Sequence, residues 1–464
     1  MTGDETRPPL PRTTRRPRPP RLPRPPSWAN RNFRLLVSAS FISGLGNSGA
    51  TIAAAYAVIG AGGGATDVGV VAAARTLAMV VFLLVGGAVA DRISRQRVMV
   101  AANLVNAVSQ GLFALLVLAG HPQLWQMAAL TAVGGSAQAF FSPASQGMVL
   151  STVEPAHAGK AFSVYRLGAN GASIGGAALG GALIAALGAG WVLVVDAAGF
   201  LVAAGLRARL SAAATARLAD PDDAGAAAGG IVRDLREGWR EFASRSWLWG
   251  IVVQFGVVNA MTGAAEQVYG PLVARDHLGG AGPWGVAMAA AGAGTVAGGV
   301  LMIRWKPRRI LLVGTLGVFP LAIPLVALAL ALPLWALVLA MLLSGVAIEV
   351  FAVGWMLALA QEIPDEMMSR VSAYDWLGSI AIMPLGLALA GPAAAAFGRT
   401  PSLWGSATLV VTLTAAVLLL PDVRRLERAR PDGRAPAGSA APAADQPTVK
   451  APSGGTGDGV AEAS

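Results

Sequence analysis

Gly86-Gly87-Ala88-Val89-Ala90-Asp91-Arg92-Ile93-Ser94-Arg95-Gln96-Arg97-Val98 ends one long apolar run and begins the next. Four charges crowd into a turn too short to be a domain, which reads as a tight loop between two membrane helices. Glycines at 86 and 87 let a neighbouring backbone approach, Asp91 sits where an acid pairs or caps, and Arg92, Arg95 and Arg97 suit anionic headgroups or the carbonyl ends of helices. The stretch recurs in degraded form 212 positions later as Gly298-Gly299-Val300-Leu301-Met302-Ile303-Arg304-Trp305-Lys306-Pro307-Arg308-Arg309, where Gly87, Arg92 and Arg97 fall on Gly299, Arg304 and Arg309. The chain therefore reads as two copies of one membrane unit.

Composition agrees. Only 13% of the 464 residues are charged and 55% are apolar, so a length that suggests about three soluble domains is read instead as a set of membrane spans. The 58 glycines suit helices that approach closely in lipid, where small residues permit association. The absence of cysteine excludes disulfides, thiolate metal sites and thiol nucleophiles. A net charge of +10 suits nucleic acid in a soluble protein, but here the basic residues lie in tails and alternate loops, so no nucleic-acid partner is expected.

The sequence predicts an all-α integral membrane protein of twelve transmembrane helices in two six-helix halves. A basic, Pro/Arg-rich disordered tail covers 1–30, the first half 31–207, a linker with an amphipathic helix 208–247, the second half 248–420 and a disordered tail 421–464. The spans fall at about 34–60, 68–90, 98–119, 124–147, 161–186, 190–207, 248–273, 282–303, 309–330, 334–360, 370–397 and 401–420. With the amino terminus inside, Arg275 and Arg399 are the only Lys or Arg of the external loops, which puts both ends in the cytoplasm and the chain in the inner or plasma membrane. In the linker, Ile231, Leu235, Trp239 and Phe242 share one helical face, which suits a helix lying on the inner membrane surface or an ordinary linker helix. A second repeat supports the duplication: Lys160, Leu167, Gly168 and Gly176 map at an offset of 210 onto Arg370, Leu377, Gly378 and Gly386.

The loop at 86–98 resembles the signature between helices 2 and 3 of the major facilitator superfamily, roughly G-x-L-a-D-R-x-G-R-R/K, with Val89 for the leucine, Ser94 for the second glycine and Gln96 for a basic residue. The resemblance covers about 30 to 420 and implies parallel six-helix halves with a substrate cavity between them. Span 5, from Asn170 to Gly181, is similar to the G-P-x-x-G-G signature of superfamily exporters, with Ala177 in place of the proline; it implies a pliable seam favouring antiport, although close helix packing uses the same glycines. Span 4 lacks the arginine that many drug–proton antiporters carry, and Asn47 stands where related exporters often have aspartate. These departures, with Arg31-Asn32-Phe33-Arg34-Leu35-Leu36, Phe141-Ser142-Pro143-Ala144 and the stretch Arg370 to Gly378, are most similar to the branch of exporters that includes enterobactin-type siderophore exporters.

Nothing in the chain resembles a soluble catalytic site, so no enzyme activity, cofactor or metal is expected. His121, His157 and His277 are not spaced as metal ligands, and no phosphate-binding loop is present. Function then rests on polar groups inside the spans, which are costly there. The ionisable set is Arg75, Arg166, Asp196, Glu266, Glu349 and Asp375. Arg166 and Asp375, near matching positions of the two repeats, are read as a cytoplasmic gate pair or as partners of loop charges. Glu349, deepest in its span, is read as the proton-coupling or cation-recognition residue, or as a permanently neutral acid bonded to a neighbouring helix. Asn47, Gln138, Asn170, Gln254, Asn259 and Glu266 are candidates for the substrate cavity. Gly87, Asp91, Arg92, Arg95 and Arg97 form the conformational loop.

The sequence thus predicts an exporter of small amphipathic organic molecules, coupled to protons, in contact with membrane lipids and monomeric. An importer of the same fold, or a transport-inactive membrane sensor or scaffold, stays open at this stage.

Overall fold

The computed structural model describes residues 28–92, 94–120, 122–211 and 231–428. Residues 1–27 and 429–464 of the two tails and the Ala/Gly/Asp-rich part of the linker lie outside the described residues, as do the side chains of 84–92, and with them the expectations placed on Gly87, Asp91 and Arg92. All regular structure among the described residues is helical. Eleven helical stretches are long and apolar enough to cross a membrane by length and composition. The 28-residue helix Leu124–Ser151, whose glutamines and serines lower its hydropathy, completes the twelve passages of the expected fold. Large apolar side chains such as Leu115, Ile303, Trp335 and Phe397 stand exposed, as lipid-facing surfaces require.

The chain divides into two compact units, Met1–Gly62 with Ala74–Ala226 and Gly63–Ala73 with Ala227–Ser464. Unit 1 is built from α1 (Arg31–Gly60), α2 (Ala65–Arg92, shared with unit 2), α3 (Arg95–Leu118), α4 (Leu124–Ser151), α5 (Ala158–Leu187) and α6 (Ala189–Ala208). The Asn30 side chain caps α1 by accepting from the Phe33 amide at 2.8 Å. α1 packs against α5 and α6, and α3 against α4 and α6. Glycine decides the first contact: a Cβ at Gly49 would lie 3.1 Å from the Gly180 Cα, so the two backbones meet without side chains between them.

Unit 2 opens with α7 (Ile231–Ser244), followed by α8 (Ser246–Ala264), α9 (Ala281–Arg304), α10 (Ile310–Leu316), α11 (Ala322–Ala329), α12 (Leu334–Glu362), α13 (Asp365–Ala381), α14 (Met383–Phe397), α15 (Arg399–Val417) and the short α16 (Pro421–Arg425). Three passages are irregular, each beside a proline. α8 continues to Leu278 through two π-helical stretches, Ala265–Tyr269 and Ala274–Leu278, on either side of Pro271, which has no N–H to give the α ladder. A 3-10 turn at Phe319–Leu321 contains Pro320 and separates α10 from α11, and Pro384 follows the break between α13 and α14.

The duplication seen in the sequence is also geometric. α5 ends at Gly188 with φ 89° and ψ 163°, and α14 ends 210 positions later at Gly398 with φ 90° and ψ 157°, both in the left-handed half of backbone space that glycine tolerates. Gly168 faces Val37 of α1, and its counterpart Gly378 faces Val252 of α8; Gly176 meets Leu45, and Gly386 meets Ala260. Each repeat thus uses matched glycines to seat its fifth passage on its first.

On the linker helix α7, Ile231 and Leu235 of the expected apolar stripe lie outside the described side chains, and Trp239 is about half exposed. Trp239 and Phe242 pack on Tyr374 of α13 with ring centroids 5.6 and 6.0 Å away, and Phe242 is buried.

Candidate substrate pocket and its charged surround

A pocket of about 150 Å³ opens within unit 1 between α1, α3, α4, α5 and α6. Its α1 wall is a polar stripe at helical spacing, Ser40, Ser43, Gly44, Asn47 and Ser48, which turns one side of an otherwise apolar helix inward. Asn103 of α3, Gln138 and Phe141 of α4, Tyr165 and Ala169 of α5 and Phe200 of α6 close it. Two of the expected cavity residues, Asn47 and Gln138, are therefore in one site. Asn170 is half-buried next to it in sequence and does not line it. Asn103 was not among the expected residues, although an asparagine in mid-span carries the same signal as the others.

Charge surrounds the pocket without lining it. Arg75 donates to the Asn47 side-chain oxygen at 2.7 Å and interacts electrostatically with Asp196, which is fully buried against Gly46 with neither carboxylate oxygen hydrogen-bonded. On the Ser40 side lies Arg207, also fully buried. One of its terminal nitrogens donates to the Ser40 hydroxyl at 3.0 Å, and the guanidinium carbon sits 4.7 Å from the Phe141 ring centre. Its Nε and other terminal nitrogen have no acceptor among the described residues. Sequence reasoning missed Arg207, because the last residue of a span reads as a cation that reaches the interface.

The description "Major Facilitator Superfamily" belongs to the family model that matches residues 36–383, three-quarters of the chain. The chain belongs to the major facilitator superfamily. It is 28% identical over 415 residues to a multidrug efflux pump, Tap, of Mycolicibacterium fortuitum, an alignment covering 85% of this chain and 97% of the pump. Among solved structures it is similar to the nucleoside transporter NupG (TM-score 0.64, 12% identity, 83% of this chain and 98% of that one). A POT family transporter in complex with a thioalcohol-conjugated peptide (0.67, 11%, 85% and 96%) and a bacterial homologue of the human lysosomal transporter Spinster (0.64, 16%, 87% and 99%) share the fold as well.

Of the loop at 86–98, the described side chains include Arg95, Gln96 and Arg97. The Arg95 guanidinium occupies the space beside Gly147 of α4, where a Cβ would come within 2.5 Å of it, and Arg97 is exposed. Gln96, at a position where the superfamily signature has a basic residue, donates to the carbonyls of Arg207, Ala208 and Leu210 at 2.9, 3.2 and 3.0 Å, so a neutral amide caps the end of α6.

In unit 2 the expected polar residues serve different neighbours. Gln254 is buried and donates to the Thr414 hydroxyl at 3.0 Å, which ties α8 to α15; Asn259 donates to the Ser379 carbonyl at 2.9 Å, which ties α8 to α13. Glu266 is half-buried within the first π-helical stretch. Glu349 of α12 packs on Gly298 and Gly299 of α9, so the glycines of the degenerate repeat make room for this carboxylate. Asp375 accepts from the Trp355 indole at 3.0 Å. Arg166 of unit 1 is exposed.

Proposed function

We propose that this superfamily member exports small amphipathic organic molecules by alternating access, driven by protons moving inward. Export rests on the near end-to-end alignment with an efflux pump. A pocket walled by hydroxyls, amides and aromatic rings, with no charged residue in its lining among the described residues, suits amphipathic cargo better than sugars or inorganic ions. In this reading the chain is a monomer of the plasma membrane with both termini in the cytoplasm, as the arginine distribution favours.

Glu349 is the proton-coupling carboxylate of the proposal, because an acid in mid-span that alternates between two aqueous sides can carry the exchanged proton. Asp91, Arg92 and Arg95 steady one conformation of the cycle. Arg166 and Asp375 form the cytoplasmic gate, with Trp355 holding Asp375 in place. A charge swap at Arg166 and Asp375 should then recover more transport than either single change; no recovery argues against direct pairing.

The deciding experiment uses inverted membrane vesicles containing the full chain, an imposed inside-acidic pH gradient and a panel of cationic, anionic and neutral amphipathic dyes. Export in the cell appears as gradient-dependent dye uptake into the vesicles. Gradient-driven movement in the other direction would make the chain an importer, and no movement with any dye would favour a sensor.

A further inference from the structure

Unit 1 holds a half-buried arginine, Arg75, and a fully buried one, Arg207, and among the described residues only the first has an acidic neighbour. Arg75 interacts electrostatically with Asp196, whereas the corresponding neighbour of Arg207 is the neutral Tyr165 phenol. A buried cation without a counter-charge is expensive in a membrane protein and persists where something offsets it. Among the described residues around the pocket, the unsatisfied groups are the two carboxylate oxygens of Asp196, whose charge Arg75 balances, and three donors: Nε and one terminal nitrogen of Arg207, and Nδ2 of the buried Asn103. Among the described residues no Asp or Glu lines the pocket. Donors without acceptors and a cation without an anion ask for the same occupant, a negatively charged group rich in oxygen.

We propose that this pocket is an anion subsite that takes the carboxylate of an amphipathic substrate. Arg207, which does not itself line the pocket, supplies the charge from behind Ser40 and Phe141, which do. Ser40 accepts a hydrogen bond from Arg207 and so turns its own O–H to the ligand, and Asn103 donates from α3. The rings of Phe141, Tyr165 and Phe200 receive the apolar part next to the carboxylate. A volume of about 150 Å³ holds one ring-sized group, so the subsite grips one end of a larger molecule. This rests on the reading that the chain moves amphipathic organic molecules, and it narrows them to acids.

The test is binding to the purified full chain in nanodiscs of phosphatidylcholine, with benzoate as probe and benzamide as its neutral isostere. Binding needs no transport, so its outcome is independent of the direction of transport. Benzoate should bind at least about tenfold more tightly than benzamide, as a charge-assisted contact implies. Arg207→Gln should abolish that preference and Ser40→Ala should reduce it. Equal affinities, or no benzoate binding, overturn the proposal on the unaltered protein, whether or not the Arg207 variant folds. Repeating the measurement in phosphatidylglycerol nanodiscs separates a substrate from a lipid headgroup: unchanged benzoate affinity supports the subsite as proposed, and loss of it through competition overturns the assignment to substrate.

Discussion

The Arg370 guanidinium on α13 donates to the Glu237 carboxylate on the linker helix α7 at 2.9 Å, across 133 positions of sequence. Both side chains are about one-third exposed, so the pair contributes little, ~0–1 kcal/mol. The aromatic contacts of Trp239 and Phe242 with Tyr374 hold the helix down more firmly. Tyr374→Ala is expected to raise amide exchange across 236–244 by about tenfold, and Glu237→Gln by less than about fivefold. Equal protection in the Tyr374 variant and the unaltered chain would show that α7 is held elsewhere.

A methyl group at Gly46 would lie 2.5 Å from an Asp196 carboxylate oxygen. Gly46→Ala should therefore destabilise unit 1 by ~1–3 kcal/mol, the usual range for overpacking. In an Asp196→Ala background the penalty should shrink, because the opposing side chain is gone. Thermal unfolding of the four proteins in detergent completes the cycle, and strict additivity would rule out the contact.

Matched glycines make a paired prediction. Gly176→Ala pushes a Cβ into the Leu45 carbonyl of α1, and Gly386→Ala pushes one into Ala260 of α8, whereas a Cβ at Gly60 meets nothing within 4 Å. The first two substitutions should each cost at least ~1 kcal/mol by overpacking. Gly60→Ala should be neutral or stabilising by up to ~1 kcal/mol, through the entropy of the unfolded chain. Melting temperatures decide, and a tolerated Gly176→Ala would contradict the close approach.

Gln254 contributes an interhelical bond. Gln254→Met should lower stability by ~0.6 kcal/mol, the average for a hydrogen bond between membrane helices. Thr414 keeps its own donation to Val410. The spectrum of exported dyes should stay the same; a changed spectrum would put Gln254 on the substrate path.

Glu349→Gln keeps the shape of the neutral acid but cannot release a proton. Under the coupling proposal this variant should still exchange substrate down its gradient while failing to accumulate it when driven by a pH difference. Undiminished pH-driven accumulation would remove Glu349 from the coupling role and direct attention to Asp196 or Glu266.

The sequence by itself determined the class of the protein, the number and approximate limits of its passages and the internal duplication. These depend on local properties: the length of an apolar run, the placement of proline and arginine, and the recurrence of small residues at a fixed offset. The tertiary structure alone decided which side of each helix faces inward. In a soluble helix apolar periodicity marks the buried face, but a membrane helix is apolar toward lipid and toward its neighbours alike, so the pattern loses its contrast. Asn47 and Gln138 therefore look like Gln254 and Asn259 in sequence, yet the first two line a pocket and the others tie helices together. Arg207 shows the same limit in reverse. Its position predicted an interfacial cation, and only the packing of α6 on α1 buries it against Ser40, with Phe141 of α4 over its guanidinium, where its charge is without an acidic partner among the described residues.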